Sequence, residues 1–173
     1  MSGFPKLIPA FTIHVVIDPP SAIGPVAHGN NLLHVVIKPN AGSITSVDNY
    51  PIRLDAEFAH GSDFIRMDPD GKHVRLEVHS AIRDKQTNGL LRFNYTGIIN
   101  TDVSAGSAAG KIFTGSPEAK TTDFGEAFIH ATFETGVPEL AAIQHKLFVG
   151  GGRFILEEGK PTVVEYKLSE VVN

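Results

Sequence analysis

The sequence contains no cysteine and no tryptophan, and only 2 of its 173 residues are methionine. Without cysteine the chain has no disulfide scaffold, no cysteine-ligated zinc or iron–sulfur centre and no thiol nucleophile. No apolar run approaches the roughly 20 residues of a membrane-spanning helix. Positive charge is not in excess either, because 15 Lys and Arg stand against 19 Asp and Glu. This balance argues against a nucleic-acid or membrane partner, which requires a basic face.

The first residues also lack the basic segment and the long apolar run of a secretory signal peptide. Together with the absence of cysteine, this favours a cytoplasmic protein. A chain of this length can bury one self-sufficient core but is too short for two ordinary domains. We therefore predict a single domain over residues 1–173.

The dominant pattern is an alternation of apolar and polar residues with a period of two, interrupted by Gly, Pro, Asn and Asp. It predicts about ten short β segments, which is typical of an all-β sandwich or barrel. The segments are residues 11–18, 31–38, 43–46, 53–60, 63–68, 73–82, 90–98, 126–134, 145–156 and 162–168. Residues 100–123 carry no strong strand pattern and predict a long flexible loop or lid, and residues 137–144 predict a short helix.

Histidines and carboxylates share strand faces at two places. Glu77 and His79 point to the same face of one predicted strand, and His130 and Glu134 point to the same face of another. A carboxylate orients an imidazole ring and raises its basicity, so each pair is a candidate for proton transfer. Three interpretations of these histidines and carboxylates stay open. They could lie on a solvent-exposed outer face, line a polar barrel lumen around a small-molecule cavity, or form a zinc or iron site with residues from several strands.

Other side chains could contact a substrate if they faced the same lumen. Tyr95 would anchor a carbonyl or hydroxyl oxygen through its phenol, although it shares its strand face with apolar residues. The candidate substrate-binding residues are His28 and Asp63 near a barrel mouth, and Arg75, Arg92 and Phe93 on the strands.

The order of several short motifs is similar to a known family. These motifs are Gly24 to His28-Gly29, Gly61-Ser62-Asp63-Phe64, Asp70-Gly71, Tyr95-Thr96-Gly97, Phe133-Glu134-Thr135-Gly136, and Leu147-Phe148-Val149-Gly150 with Gly152-Arg153. From about Phe11 to Val171, the chain resembles the family catalogued as domain of unknown function 3237. The resemblance implies a single antiparallel, calycin-like β-barrel and a place near small-molecule, secondary metabolism.

The resemblance also marks two departures. His79 stands where the family tends to have an arginine after the acidic residue at Glu77. The family often has a tryptophan shortly before its Leu-Phe-Val-Gly segment, where this chain has Ala142. A differently shaped substrate is the expected consequence.

We expect a cofactor-independent acid–base enzyme, of isomerase, cyclase or lyase type, acting on a hydrophobic small molecule in the barrel. The alternative is a binding protein of the same fold without catalysis, since the phenylalanine-rich strand faces suit both. A third hypothesis is an assembly module that pairs through strand edges. We expect no metal or cofactor, and a homodimer would fit the tendency of small barrels to associate.

Overall fold

The computed structural model describes residues 3–27 and 31–173. The chain forms a closed barrel of eight antiparallel strands with two extra strands, which confirms the expected fold class. The strands are β1 (Lys6–Val16), β2 (Ser21–Pro25), β3 (Asn31–Ile37), β4 (Ala41–Ser46), β5 (Asp55–Met67), β6 (His73–Asp84), β7 (Leu90–Asn100), β8 (Ala127–Thr135), β9 (Phe148–Ile155) and β10 (Val163–Val172).

Around the barrel the strands run in the order β5, β4, β1, β10, β9, β8, β7 and β6, and β6 closes the ring by pairing with β5. The long β5 has two partners on its other edge. Its first half pairs with β4, and its second half pairs with β3, from Gly61 opposite Ile37 to Met67 opposite Asn31. The hairpin of β2 and β3 therefore completes the wall at one end of the barrel.

The prediction of two strands at residues 53–60 and 63–68 is wrong, because β5 runs without a break through Gly61. A side chain at Gly61 would lie within 2.9 Å of the Ile37 Cδ1 and Ser80 Cβ atoms. Here glycine marks the close approach of neighbouring strands rather than a turn.

A β-bulge in β5 decides which of its residues face the lumen. Phe58 pairs with Ile82 and His60 pairs with Ala81, so Ala59 is the extra residue on β5. A bulge re-aims the side chains that follow it. Beyond it Gly61, Asp63 and Ile65 are buried, which continues the inward face of Ala56 and Phe58 with the opposite residue parity.

The segment expected to be a long loop or lid contains a 3₁₀ turn, Val103–Ala105, and the helix α1, Ala108–Phe113. The Glu126 carboxylate accepts hydrogen bonds from the amides of Ala108 (2.9 Å) and Ala109 (2.8 Å), which fixes the start of α1. A second 3₁₀ segment, Pro138–His145, lies where a short helix was expected. Among the described residues, the helices are too short to cross a bilayer.

One half of the lumen is filled with aromatic rings. Phe93 stacks on Phe133 with ring centroids 4.8 Å apart, and Phe11 and Phe148 lie within 5.6 Å of Phe133. Leu140 of the 3₁₀ segment Pro138–His145 is also buried. Such rings bury about 150–250 Å² each, so this half holds much of the hydrophobic core.

Candidate functional site

The opposite half of the lumen encloses a cavity of about 350 Å³. Its walls are the inward side chains of the strands, which include Val15, Val35, Ile65, Leu76, Ile99 and Val164. Ile112 and Phe113 of α1 reach the same cavity, and the Phe113 ring lies edge-on to Phe154 at 5.9 Å. This size and apolar lining are typical of a site for a small organic ligand.

Asp63 brings a carboxyl group into this apolar cavity. Its residue is 8% exposed, and its Oδ1 accepts a hydrogen bond from the Glu77 amide at 3.1 Å. No other hydrogen bond to the carboxyl comes from the described part of the chain. Burial raises the pKa of Asp63 to about 7, an effect that the Glu77 amide opposes and the Glu77 charge reinforces. Near neutral pH both protonation states of Asp63 are therefore populated.

Two tyrosines line the cavity beside Asp63. Tyr95 lies on β7 and Tyr166 on β10, and their ring centroids are 5.5 Å apart at an angle of 61°. Burial raises the pKa of both phenols well above the ordinary value, and a negative charge on Asp63 adds to this effect. Both tyrosines therefore stay neutral and can donate hydrogen bonds at physiological pH.

The structure places the four expected proton-transfer residues outside the lumen. Glu77, His79, His130 and Glu134 lie on the outer face of β6 and β8, and the His79 side chain is 54% exposed. Glu77 pairs with Arg66 at 2.5 Å and with His79 at 3.5 Å. The expectation that these four residues meet inside the lumen is thus corrected. The apolar face of each strand lines the lumen, and these residues lie on the opposite face.

Glu77, His79 and His130 nevertheless share one surface. Glu77 is opposite Thr96 on β7, and Thr96 is opposite His130 on β8. A depression on this outer face is lined by all three. Glu134 lies farther along β8 and pairs with Arg92 at 2.5 Å. This arrangement is open to water, which weakens electrostatic effects between the groups.

The remaining candidates fall in different places. Arg75 is on the outer face, where it forms an ion pair with Asp68 at 2.7 Å, and Arg92 is on the outer face with Glu134. Phe93 faces inward but belongs to the aromatic half and does not line the cavity. His28 lies outside the described residues. Of the expected substrate contacts, Asp63 and Tyr95 are the two that the structure brings together.

Tyr166 was not anticipated from the sequence. Its signal is the alternation of Val164, Tyr166 and Leu168, all buried, which puts a phenol on an otherwise apolar strand face. Within residues 3–27 and 31–173, no group of three or more His, Cys, Asp or Glu is arranged to hold a metal ion.

The chemistry available to the cavity follows from these three side chains. A carboxyl with a pKa near 7 can accept and return a proton, and two neutral phenols can stabilise a developing oxygen anion. The apolar walls exclude water and strengthen both interactions. Proton transfer next to a carbonyl group is the reaction type that this arrangement suits.

Several solved structures share the fold over almost the whole chain. A conserved protein of unknown function from Rhodopseudomonas palustris is 18% identical, with a TM-score of 0.74 and coverage of 99% of this chain and 100% of that one. A beta-barrel like protein from Acinetobacter baumannii AYE is 15% identical, with a TM-score of 0.70 and coverage of 99% and 98%. An enzyme from Penicillium herquei is 11% identical, with a TM-score of 0.58 and coverage of 95% and 94%.

At these identities the likenesses show the fold alone. No curated protein matches the sequence. The profile of DUF3237, described as a protein of unknown function, matches residues 5–171, which is nearly the whole chain. The barrel, the order of the sequence motifs and this match agree, and the chain is a member of the DUF3237 family.

Proposed function

We propose that the protein is a cofactor-independent acid–base enzyme that acts on a hydrophobic small molecule in the lumen cavity. The observation that carries the proposal is Asp63, a buried carboxyl with one hydrogen bond, in an apolar cavity beside two phenols. A general base works best when its pKa lies near the working pH, and the pKa of Asp63 is raised to about 7.

The proposed step is the removal of a proton from a carbon next to a carbonyl group. The Asp63 carboxylate takes the proton, the C–H electron pair forms a carbon–carbon double bond, and the carbonyl π pair moves to the oxygen. If the substrate is a β,γ-unsaturated carbonyl compound, the oxygen pair then re-forms the carbonyl group, the double bond shifts to the α,β position, and the γ-carbon takes the proton back from the Asp63 carboxyl, which gives an isomer. If the substrate instead carries a hydroxyl group on the β-carbon, the oxygen pair re-forms the carbonyl, an α,β double bond forms as the C–O bond breaks, and the Asp63 carboxyl gives its proton to the departing hydroxyl, so that the reaction is a dehydration.

Two features support catalysis over simple storage of a ligand. A storage site gains nothing from a buried carboxyl, because burial without full hydrogen bonding costs stability. The structural neighbour from Penicillium herquei is described as an enzyme, and this description is compatible with a catalytic role for the barrel. The alternative, a binding protein, uses the same cavity and is separated from the enzyme by the experiment below.

The test measures deuterium incorporation into 2-tetralone, a small enolisable bicyclic ketone, by NMR in D₂O. We expect the protein to accelerate exchange, and Asp63→Asn to lower the rate by about 100-fold or more. Glu134→Gln is the matched control, because Glu134 is an exposed carboxylate on the outer face. Unchanged exchange in Asp63→Asn would exclude Asp63 as the base, and binding of 2-tetralone without accelerated exchange would favour the binding protein.

The pH dependence sharpens the same test. The base must be ionised, so the exchange rate should rise about tenfold per pH unit below 7 and level off above it. A rate that is flat between pH 5 and 8 would contradict a carboxylate whose pKa is about 7.

A further inference from the structure

We infer that Tyr95 and Tyr166 form an oxyanion-binding site for ligands of the phenol and enol class, and that Gly152 is the positioning residue that builds it. A role of this site in catalysis rests on the proposed function. Its existence does not, because binding of a phenol can be measured without any reaction.

The two phenols reach the cavity from separate parts of the barrel wall. Tyr95 extends from β7 and Tyr166 from β10, and the edge-on packing of their rings brings the phenols together beside Asp63. Burial raises the pKa of both phenols, so each hydroxyl keeps its proton and can donate it to a ligand oxygen. A ligand oxygen bound beside both rings would therefore accept hydrogen bonds from the two hydroxyls.

Gly152 explains how a full tyrosine ring fits into the wall. It lies on β9 directly opposite Tyr166. A Cβ atom at Gly152 would lie 2.4 Å from the Tyr166 Cε1 atom and 2.6 Å from its Cδ1 atom. The next residue across the barrel in the same row, Ala127, is also small. The ring therefore lies over the glycine backbone, and any larger residue at 152 must displace it.

The charge of the site stays constant during the proposed step. Before proton transfer the negative charge is on the Asp63 carboxylate, and after transfer it is on the ligand oxygen. The phenols stay neutral throughout, because burial and the nearby carboxylate oppose their ionisation. A pair of fixed neutral donors at the place where charge develops is what stabilises an oxyanion.

Two adjacent glycines provide a matched pair of variants. The Cβ atom of Gly152→Ala would collide with Tyr166, whereas the Cβ atom of Gly151→Ala meets no atom within 4 Å. Both residues lie on β9 and differ only in the face to which they point. Gly152→Ala tests the position of the Tyr166 ring, and Gly151→Ala controls for the loss of a flexible residue.

The experiment measures binding of 2-naphthol and of naphthalene, which differ by one oxygen, to the full chain by fluorescence titration. We expect Tyr166→Phe and Gly152→Ala to weaken 2-naphthol binding by at least about tenfold. Gly151→Ala should leave it within about twofold of the unaltered protein. Tyr166→Phe should leave naphthalene binding unchanged, since a purely structural role would weaken both probes alike.

Each contrary result has a clear meaning. If Tyr166→Phe binds 2-naphthol as the unaltered protein does, or if the unaltered protein binds neither probe, the oxyanion site is overturned. Because Tyr166→Phe removes only a hydroxyl group, it keeps the test decisive even if Gly152→Ala does not fold. If Asp63→Asn keeps 2-tetralone exchange while 2-naphthol binding follows the expectations above, the proposed function fails and the oxyanion site stands.

Discussion

The two halves of the barrel lumen are built by the same strands and differ in what their inward residues fill. In one half, rings such as Phe93 and Phe133 are buried and pack against each other. In the other half, inward side chains that include Val35, Asp63 and Tyr166 surround a cavity of about 350 Å³. The comparison shows that the barrel interior differs along its axis. One half is packed hydrophobic core that stabilises the fold, and the other half contains a cavity of the size of a small organic molecule.

A buried carboxylate in each half, Glu170 in one and Asp63 in the other, lies in an opposite environment. Glu170, in the filled half, accepts hydrogen bonds from Tyr50 (2.6 Å) and Lys146 (2.6 Å). Burial alone would raise the pKa of Glu170, but the hydrogen bonds from Lys146 and Tyr50 and the Lys146 charge outweigh it and lower that pKa. Within the described part of the chain, Asp63 has one amide donor and no ion pair, so burial prevails and raises its pKa.

The largest effect should come from emptying the filled half. Phe133→Ala removes a ring at the centre of the aromatic cluster and should lower the free energy of unfolding by about 3–5 kcal/mol. Phe154→Ala is the matched change in the other half and should cost at least about 1 kcal/mol less, because Phe154 already borders a cavity. Urea denaturation measures both, and equal losses would contradict the division into a filled and a hollow half.

The next effect concerns Asp63 and depends on pH. Its pKa is 3.8 ordinarily and about 7 in the fold, so between these values the folded chain holds a proton that the unfolded chain has released. Stability therefore falls as the pH rises through this window, by roughly 4 kcal/mol at most. Asp63→Asn should show no such fall and should exceed the unaltered protein in stability at pH 8 but not at pH 4. Parallel stability curves from pH 4 to 8 would show that Asp63 is not strained by burial.

Glu170 should show the opposite trend. Tyr50→Phe removes one of its two donors and should cost about 1–3 kcal/mol at pH 7. Because the pKa of Glu170 is lowered in the fold, its contribution is present above the ordinary value and is lost as the pH falls through the folded value. The difference between Tyr50→Phe and the unaltered protein should therefore shrink in acid, and a difference independent of pH would contradict this account.

The smallest effects are expected on the outer face. The side chains of Arg92 and Glu134 are both more than half exposed, so Glu134→Gln should change the free energy of unfolding by no more than about 1 kcal/mol.

We also expect His130→Ala to leave the rate of 2-tetralone exchange within about twofold of the rate of the unaltered protein. Loss of exchange in His130→Ala would move the chemistry from the lumen to the outer surface.

Sequence alternation was enough to predict an all-β sandwich or barrel and most of its strands, because apolar and polar residues alternate clearly on β6, β7 and β8. The choice of a barrel came from the family resemblance. β2 was missed, since five residues that include Gly24 and Pro25 carry no strand signal. The break assigned to Gly61 was wrong, because the reason for that glycine is the approach of β3 and β6, which no local pattern reveals.

The candidate site was harder to predict, because the chemistry-bearing residues were sought on the polar strand faces. In this barrel the polar faces are outside, and the site consists of the few polar residues on the apolar faces. Tyr95 could be recognised by that rule. Asp63 could not, because the extra residue Ala59 shifts the parity of β5 between Phe58 and Gly61. Tyr166 on β10 and Asp63 on β5 come together because the strands close into a barrel, and this closure is a property of the tertiary structure.

The hairpin of β2 and β3 shapes one wall of the cavity without being part of the ring. Seven register pairs attach β3 to β5, whereas an isolated bridge joins Ile37 of β3 to Ile17, just after β1. Its Leu33, Val35 and Ile37 side chains face the cavity, yet neither strand belongs to the eight-stranded ring. Replacement of this hairpin would therefore change the shape of the cavity, while Asp63, Tyr95 and Tyr166 stay on the strands of the ring.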